Sequence, residues 1–145
     1  MIHLFLIMDI KLILSKHGIS RTRFRTDLLS VFYKTKKSFS IEEVEENFTS
    51  INKVTIYRAL KHFEKKGLIH LVPTKNGLKK YALCNRKECS ATAHNHNHGH
   101  FICYECDQTF CLDDVKSPDV SGLKGFHVKD LKLIVEGYCK ECYQS

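Results

Sequence analysis

Two CxxC pairs constrain this chain more than any other feature. Cys103-Tyr104-Glu105-Cys106 and Cys139-Lys140-Glu141-Cys142 place paired thiols at two separate points. Four such thiolates are the ligand set of a tetrahedral structural Zn²⁺. Whatever lies between them must fold so that the pairs meet. The first pair is preceded by His94-Asn95-His96-Asn97-His98-Gly99-His100. A four-thiolate site has no use for these imidazoles, and they suggest a second, exchangeable site.

The 7 cysteines come without a signal-peptide pattern. That argues for a reducing compartment and metal ligation rather than disulfides. The start, Met1 to Met8, is apolar but lacks a basic n-region, is interrupted by Asp9 and Lys11, and is too short to span a bilayer. A cytoplasmic protein without a membrane partner is expected.

The net charge of +7 is unevenly spread: through Ala82 there are 16 Lys/Arg against 7 Asp/Glu, a net of +9, and the remainder carries −2. A nucleic-acid-binding N-terminal half joined to a neutral or acidic C-terminal half would produce this asymmetry, and so would a solvated basic surface.

Helical periodicity fills the first half. Ile10, Ile13 and Leu14 share a face, with Gly18 placed to stop that helix. A second helix starts near Ser20 or Thr22 and carries Phe24, Leu28, Val31 and Phe32. Arg21, Arg23 and Arg25 crowd its start, where the helix dipole disfavours cations and a phosphate contact would welcome them. Ser40-Ile41-Glu42-Glu43 is a capping box. Asn52 can cap a fourth helix that buries Ile56, Ala59, Leu60 and Phe63 and stops at Gly67. Lys53, Thr55, Tyr57, Arg58 and Lys61 are left on its outer face, the groups that a recognition helix offers to base edges and phosphates. Residues 68–72 and 78–83 then read as strands around an Asn76-Gly77 turn, with Lys75, Lys79 and Lys80 placing charge on that wing.

The second half reads differently. Leu83 to Asn97 has no periodicity. Strands are expected at 101–103 and 109–112, and a long one over 126–135 before the last CxxC. The fold class expected is α+β: a winged helix-turn-helix domain over 1–83, a ligand-bearing hinge loop over 84–97, and a small α/β dimerisation domain with a four-cysteine zinc site over 98–145.

With these features in place, the chain resembles the ferric uptake regulator (Fur) family of metal-responsive repressors, from about Ile13 to Cys142. The anchors are Val54-Thr55-Ile56-Tyr57-Arg58-Ala59-Leu60, His98-Gly99-His100-Phe101-Ile102-Cys103-Tyr104-Glu105-Cys106, and Gly137-Tyr138-Cys139-Lys140-Glu141-Cys142. The resemblance implies a homodimer that binds dyad-symmetric, A/T-rich double-stranded operators when metal is bound, with no small-molecule substrate. It is nearest the zinc-sensing (Zur-like) branch. There it implies a sensory ligand set of His70, Cys84, His98 and His100. A set that adds or exchanges Cys89, His94, His96 or Cys111 is the alternative. His70 can also be read as a solvent-facing strand residue, and Cys111 as a small buried hydrophobe.

A thiolate favours Zn²⁺ over Fe²⁺ as the regulatory ion. Ala82 and Ser38 stand where iron sensors carry Glu and His, Leu131 where many members have a ligand His, and Cys111 where Glu is usual. Iron sensing is the runner-up. A catalytic zinc deaminase is set aside, because no Pro precedes either CxxC pair. A zinc buffer or carrier would leave the basic half and the Tyr57-Arg58 helix without a role.

Overall fold

The computed structural model describes the backbone of residues 2–84, 98–129 and 131–144, with side chains from Ile7 onward. Four helices lead: α1 (Ile2–Lys16), α2 (Arg23–Thr35), α3 (Ile41–Asn47) and α4 (Lys53–Lys65). A two-stranded antiparallel hairpin follows, β1 (Ile69–Val72) with β2 (Lys80–Leu83). The chain ends in a three-stranded sheet of β3 (His98–Cys103), β4 (Thr109–Lys116) and β5 (Ile134–Gly137), in the order β4-β3-β5. The architecture is α+β, as the sequence implied.

The local signals explain where the helices begin and end. Gly18 takes φ 65° and lets Ile19 N–H reach back to the Leu14 carbonyl at 2.8 Å, closing α1. Thr22 caps α2 through Arg25 N–H. Both halves of the capping box form at α3: Glu43 N–H donates to Ser40 Oγ at 3.2 Å, and Ser40 N–H to Glu43 Oε2 at 2.8 Å. Thr55 N–H donates to Asn52 Oδ1 at 2.8 Å at the head of α4. That helix ends as α1 does, with Gly67 at φ 78° and Leu68 N–H on the Phe63 carbonyl at 2.9 Å.

The core of the described residues lies in the N-terminal half. Ile10, Leu14, Leu28, Phe32, Leu60, Phe63 and Tyr81 are shut from solvent, with Phe24 and Phe39 packed on the edges. Phe39 exchanges two backbone hydrogen bonds of 2.8 Å with Tyr81 and so adds a third edge to the hairpin. Three helices, α4 after a short turn, and a wing: this is the winged helix-turn-helix order. One wing charge departs from expectation. Lys80 points inward, 8% exposed, with Nζ 2.9 Å from Glu43 Oε1. In the hairpin register Lys80 pairs with Val72, and the face that carries His70, Val72, Lys80 and Ala82 is buried throughout.

The C-terminal half differs from the sequence reading in two ways. First, two strands are longer than expected: β3 starts at His98 rather than Phe101 and so carries His98 and His100, and β4 runs past Leu112 to Lys116. Second, the long strand expected over 126–135 shrinks to β5. Strand β3 offers parallel partners only to Ile134–Gly137, and no strand of the described residues pairs with 126–129. The parallel register sets Cys103 opposite Gly137, two residues before Cys139, and thereby brings the two CxxC pairs to one end of the sheet. A Cβ on Gly137 would lie 3.3 Å from the Phe101 ring, which would have to give by a few tenths of an ångström to admit a side chain there. Among the described residues beyond Ala82, only Ile102 and Cys103 count as buried hydrophobics, while Phe126, Val128, Ile134 and Val135 stay exposed.

Candidate metal centre

The four thiols of Cys103, Cys106, Cys139 and Cys142 lie with all Sγ atoms within 4.8 Å of one another. Cys106 Sγ and Cys139 Sγ stand 3.9 Å apart. Zn–S bonds of ~2.3 Å in a tetrahedron require S···S edges of about 3.8 Å. The donors therefore fit zinc in both kind and spacing. Their titration carries the same message. The N–H of Cys106, helped by those of Cys139 and Glu105, lowers the Cys103 pKa to about 6 against the effect of burial. The neighbouring Cys139 thiol, then burial, pushes Cys142 up to about 12. Thiols crowded this closely resist full ionisation unless a dication is present to neutralise them.

A second cluster joins the two halves. His70, His98 and His100 come together with Cys111, one ligand atom of each lying within 4.8 Å of all the others. The three histidines are all buried, at 5%, 4% and 8% exposure. Strand alternation explains the grouping. His98 and His100 are two apart on β3 and face one side, despite the irregularity in pairing between His98 and Gly99. Cys111 on β4 pairs directly with His100, which puts both side chains on that face. His70 on β1 arrives from the hairpin, its ring centroid 5.6 Å from His98 and 5.8 Å from His100.

His70 stands between two thiols, that of the expected ligand Cys84 and that of the alternative Cys111. Nε2 lies 3.3 Å from Cys111 Sγ, while Nδ1 lies 3.3 Å from Cys84 Sγ. A tetrahedral zinc with one N and one S donor needs an N···S edge of about 3.5 Å, close to the Cys111 spacing. Cys84, expected as a ligand, stands on the other side of the ring and outside the four-donor group. It follows β2 directly and donates its N–H to the Leu68 carbonyl at 2.9 Å. Cys89, His94 and His96 lie outside the described residues. Ser38 and Ala82 are both buried.

The fold matches the family on which the resemblance drew. The ferric uptake regulator family model covers residues 16–136. The chain belongs to the ferric uptake regulator family. Fur-family members are transcriptional regulators, not enzymes. The ferric uptake regulation protein of Staphylococcus aureus is 30% identical over 135 residues, which span 90% of this chain and 93% of that protein. Among solved structures, the ferric uptake regulator of Francisella tularensis with iron is 27% identical, with a TM-score of 0.57 over 86% of this chain and 95% of that one. A zinc uptake regulator complexed with zinc and DNA superposes with a TM-score of 0.63 at 19% identity, over 94% of this chain and 92% of that one. No described helix is long and apolar enough to cross a membrane.

The face expected to read DNA is open. Arg21, Lys53, Thr55, Tyr57, Arg58 and Lys79 are exposed, and Lys61 is half-buried. Lys53 rests on Glu42 and Glu45 of α3 at 3.3 and 3.4 Å, and Lys61 on Glu64 at 2.9 Å. Solvent screens the Lys53 pairs, and a phosphate can displace them. The Glu42 carboxylate holds the Lys53 ammonium above its ordinary pKa, so it stays charged.

Proposed function

We propose that this Fur-family chain is a zinc-responsive transcriptional repressor of the cytoplasm that binds dyad-symmetric, A/T-rich DNA as a homodimer. The observation that carries the reading is the buried cluster of His70, His98, His100 and Cys111, which bridges the wing and the C-terminal sheet. Zinc would be held there by three imidazoles and one thiolate, and at the four-cysteine group by four thiolates. A thiolate in the sensory set, with no carboxylate among the clustered donors, favours Zn²⁺ over Fe²⁺.

In this assignment Cys111 is the fourth ligand. Cys84 instead orients His70: with Nε2 committed to the ion, the Nδ1–H points at the Cys84 sulfur. The ligands come from β1 on one side and from β3 and β4 on the other. Their closure fixes the direction of α4 relative to the base of the molecule. Two recognition helices of a dimer can then meet major-groove faces one turn of DNA apart, about 34 Å. Lys and Arg contacts to phosphate supply most of the affinity and make it salt-dependent. The domain division at 83 and 98 follows the same line: a DNA-binding unit, a hinge, and a base.

The dimer is supported by the apolar side chains that the C-terminal half leaves in water: Phe126 is 74% exposed and Val128 50%. A segment of this size has little core of its own and needs both zinc and a partner surface to be stable.

Iron sensing is favoured by two observations, the Staphylococcus aureus ferric uptake regulation protein at 30% identity and the iron in the Francisella tularensis structure at 27%. Competition decides between them. Protein stripped of its exchangeable ion is titrated with Zn²⁺ or Fe²⁺ under anaerobic conditions, and binding to an A/T-rich palindromic duplex is followed. Zinc is expected to restore full duplex binding, and Fe²⁺ to leave it unrestored even when the site is saturated; tighter zinc binding alone decides nothing, since any such site prefers Zn²⁺. Full restoration by Fe²⁺ makes the chain an iron regulator. Binding of zinc with no duplex affinity in any state makes it a buffer or carrier.

A further inference from the structure

The turn that carries Cys103 and Cys106 also grips the winged half. Cys103 N–H on the Gln108 carbonyl at 3.0 Å and Asp107 N–H on the Cys103 carbonyl at 3.1 Å close the turn, with Asp107 at φ 54°. The two residues that follow reach across to the wing. Thr109, 2% exposed, donates its hydroxyl to the Pro73 carbonyl at 2.7 Å. Ser38, fully buried, donates to Gln108 Oε1 at 3.3 Å. On the surface, Lys75 Nζ stands 5.2 Å from the centroid of the Tyr104 ring.

These contacts take hold of the wing at both of its edges. Pro73 follows β1 directly. Ser38 precedes Phe39, whose bonds with Tyr81 make it the third edge of the hairpin. Neither contact involves the histidine cluster. A rigid body held at one joint still pivots about it, whereas two separated joints set an angle. His70 and Pro73 are three positions apart on an extended chain, a lever of about 10 Å.

We propose that Thr109 and Gln108 are positioning residues for DNA binding. They form a permanent latch between the four-cysteine turn and the wing, and the histidine cluster acts against it as the exchangeable second joint. The inference rests on the reading of the chain as a DNA-binding regulator. It gives the four-cysteine group a second role, because a metal that clamps the turn through Cys103 and Cys106 also holds Gln108 and Thr109 in place for the wing.

The test uses the full chain loaded with zinc and a duplex that the wild-type protein selects from random A/T-rich palindromes. Thr109→Val keeps shape and removes the donor. It is expected to weaken duplex binding at saturating zinc about 5–10-fold, while the zinc content per chain stays at the wild-type value. Thr109→Ser, which restores the hydroxyl, is expected to bind within about 2-fold of wild type. If Thr109→Val does not fold, the pair Ser38→Ala and Gln108→Ala carries the same expectation from the other edge. Wild-type or tighter binding by these variants overturns the latch, as does a loss of binding that tracks loss of the zinc held by the four cysteines. Wild-type binding that ignores zinc overturns the sensor reading instead and leaves the comparison of variants intact.

Discussion

Cys111 and Cys84 flank one imidazole, and the two sulfurs do different work under this account. Cys111 faces Nε2 within the four-donor group, while Cys84 faces Nδ1 outside it. Loss of a partner that only orients a ligand typically costs about 10–100-fold in metal affinity, and loss of the ligand itself costs more. Cys111→Ser is therefore expected to weaken sensory zinc by more than Cys84→Ser, as read by competition with a zinc indicator. The opposite ranking would return Cys84 to the ligand set. His98 and His100 are legible from their place just before the CxxC, although the sequence pattern starts the strand that makes them share a face only at Phe101. Cys111 is legible only as one alternative among several, since its place opposite His100 depends on the β3–β4 register. A cysteine two positions after the strand's first residue, Thr109, carries no spacing signal of its own.

At the scale of elements, caps and stops govern the N-terminal half and can be read directly. Ser40, Asn52, Gly18 and Gly67 all act where their chemistry places them. Asn52→Ala removes the acceptor for Thr55 N–H and is expected to cost about 1 kcal/mol of stability, measured by thermal or urea unfolding. The wing shows where pattern fails. Lys79 and Lys80 are adjacent in sequence, yet one is exposed and the other is buried against Glu43 at 2.9 Å. Lys79→Ala is therefore expected to reduce the slope of log K against log salt by about 1. Lys80→Met should leave that slope unchanged while shifting stability. A lower slope in Lys80→Met would mean that this lysine reaches phosphate after all. The expected strand over 126–135 failed for a related reason: apolar residues alternate there, but a strand also needs a neighbour to pair with. Among the described residues β3 supplies that only from Ile134.

For the whole molecule, the two halves rely on different sources of stability. The winged half has a hydrophobic core built on Phe32, Phe63, Leu60 and Tyr81. The C-terminal half buries few apolar side chains among its described residues and leaves Phe126 and Val128 exposed, so in the proposed dimer it relies on the thiolate-held zinc and on the partner surface. Cys103→Ser is accordingly expected to release the zinc of the thiolate cluster and to convert dimer to monomer in sedimentation, with the helical signal of the winged half retained. A stable zinc-free dimer would contradict that division. The central claim is that an exchangeable ion at His70, His98, His100 and Cys111 sets the winged half for DNA. The most direct measurement is duplex affinity of one preparation in two states, both retaining the thiolate-held zinc, before and after the second ion is restored. Binding is expected to be about 10–100-fold tighter with the second ion. Equal affinity in both states would contradict it.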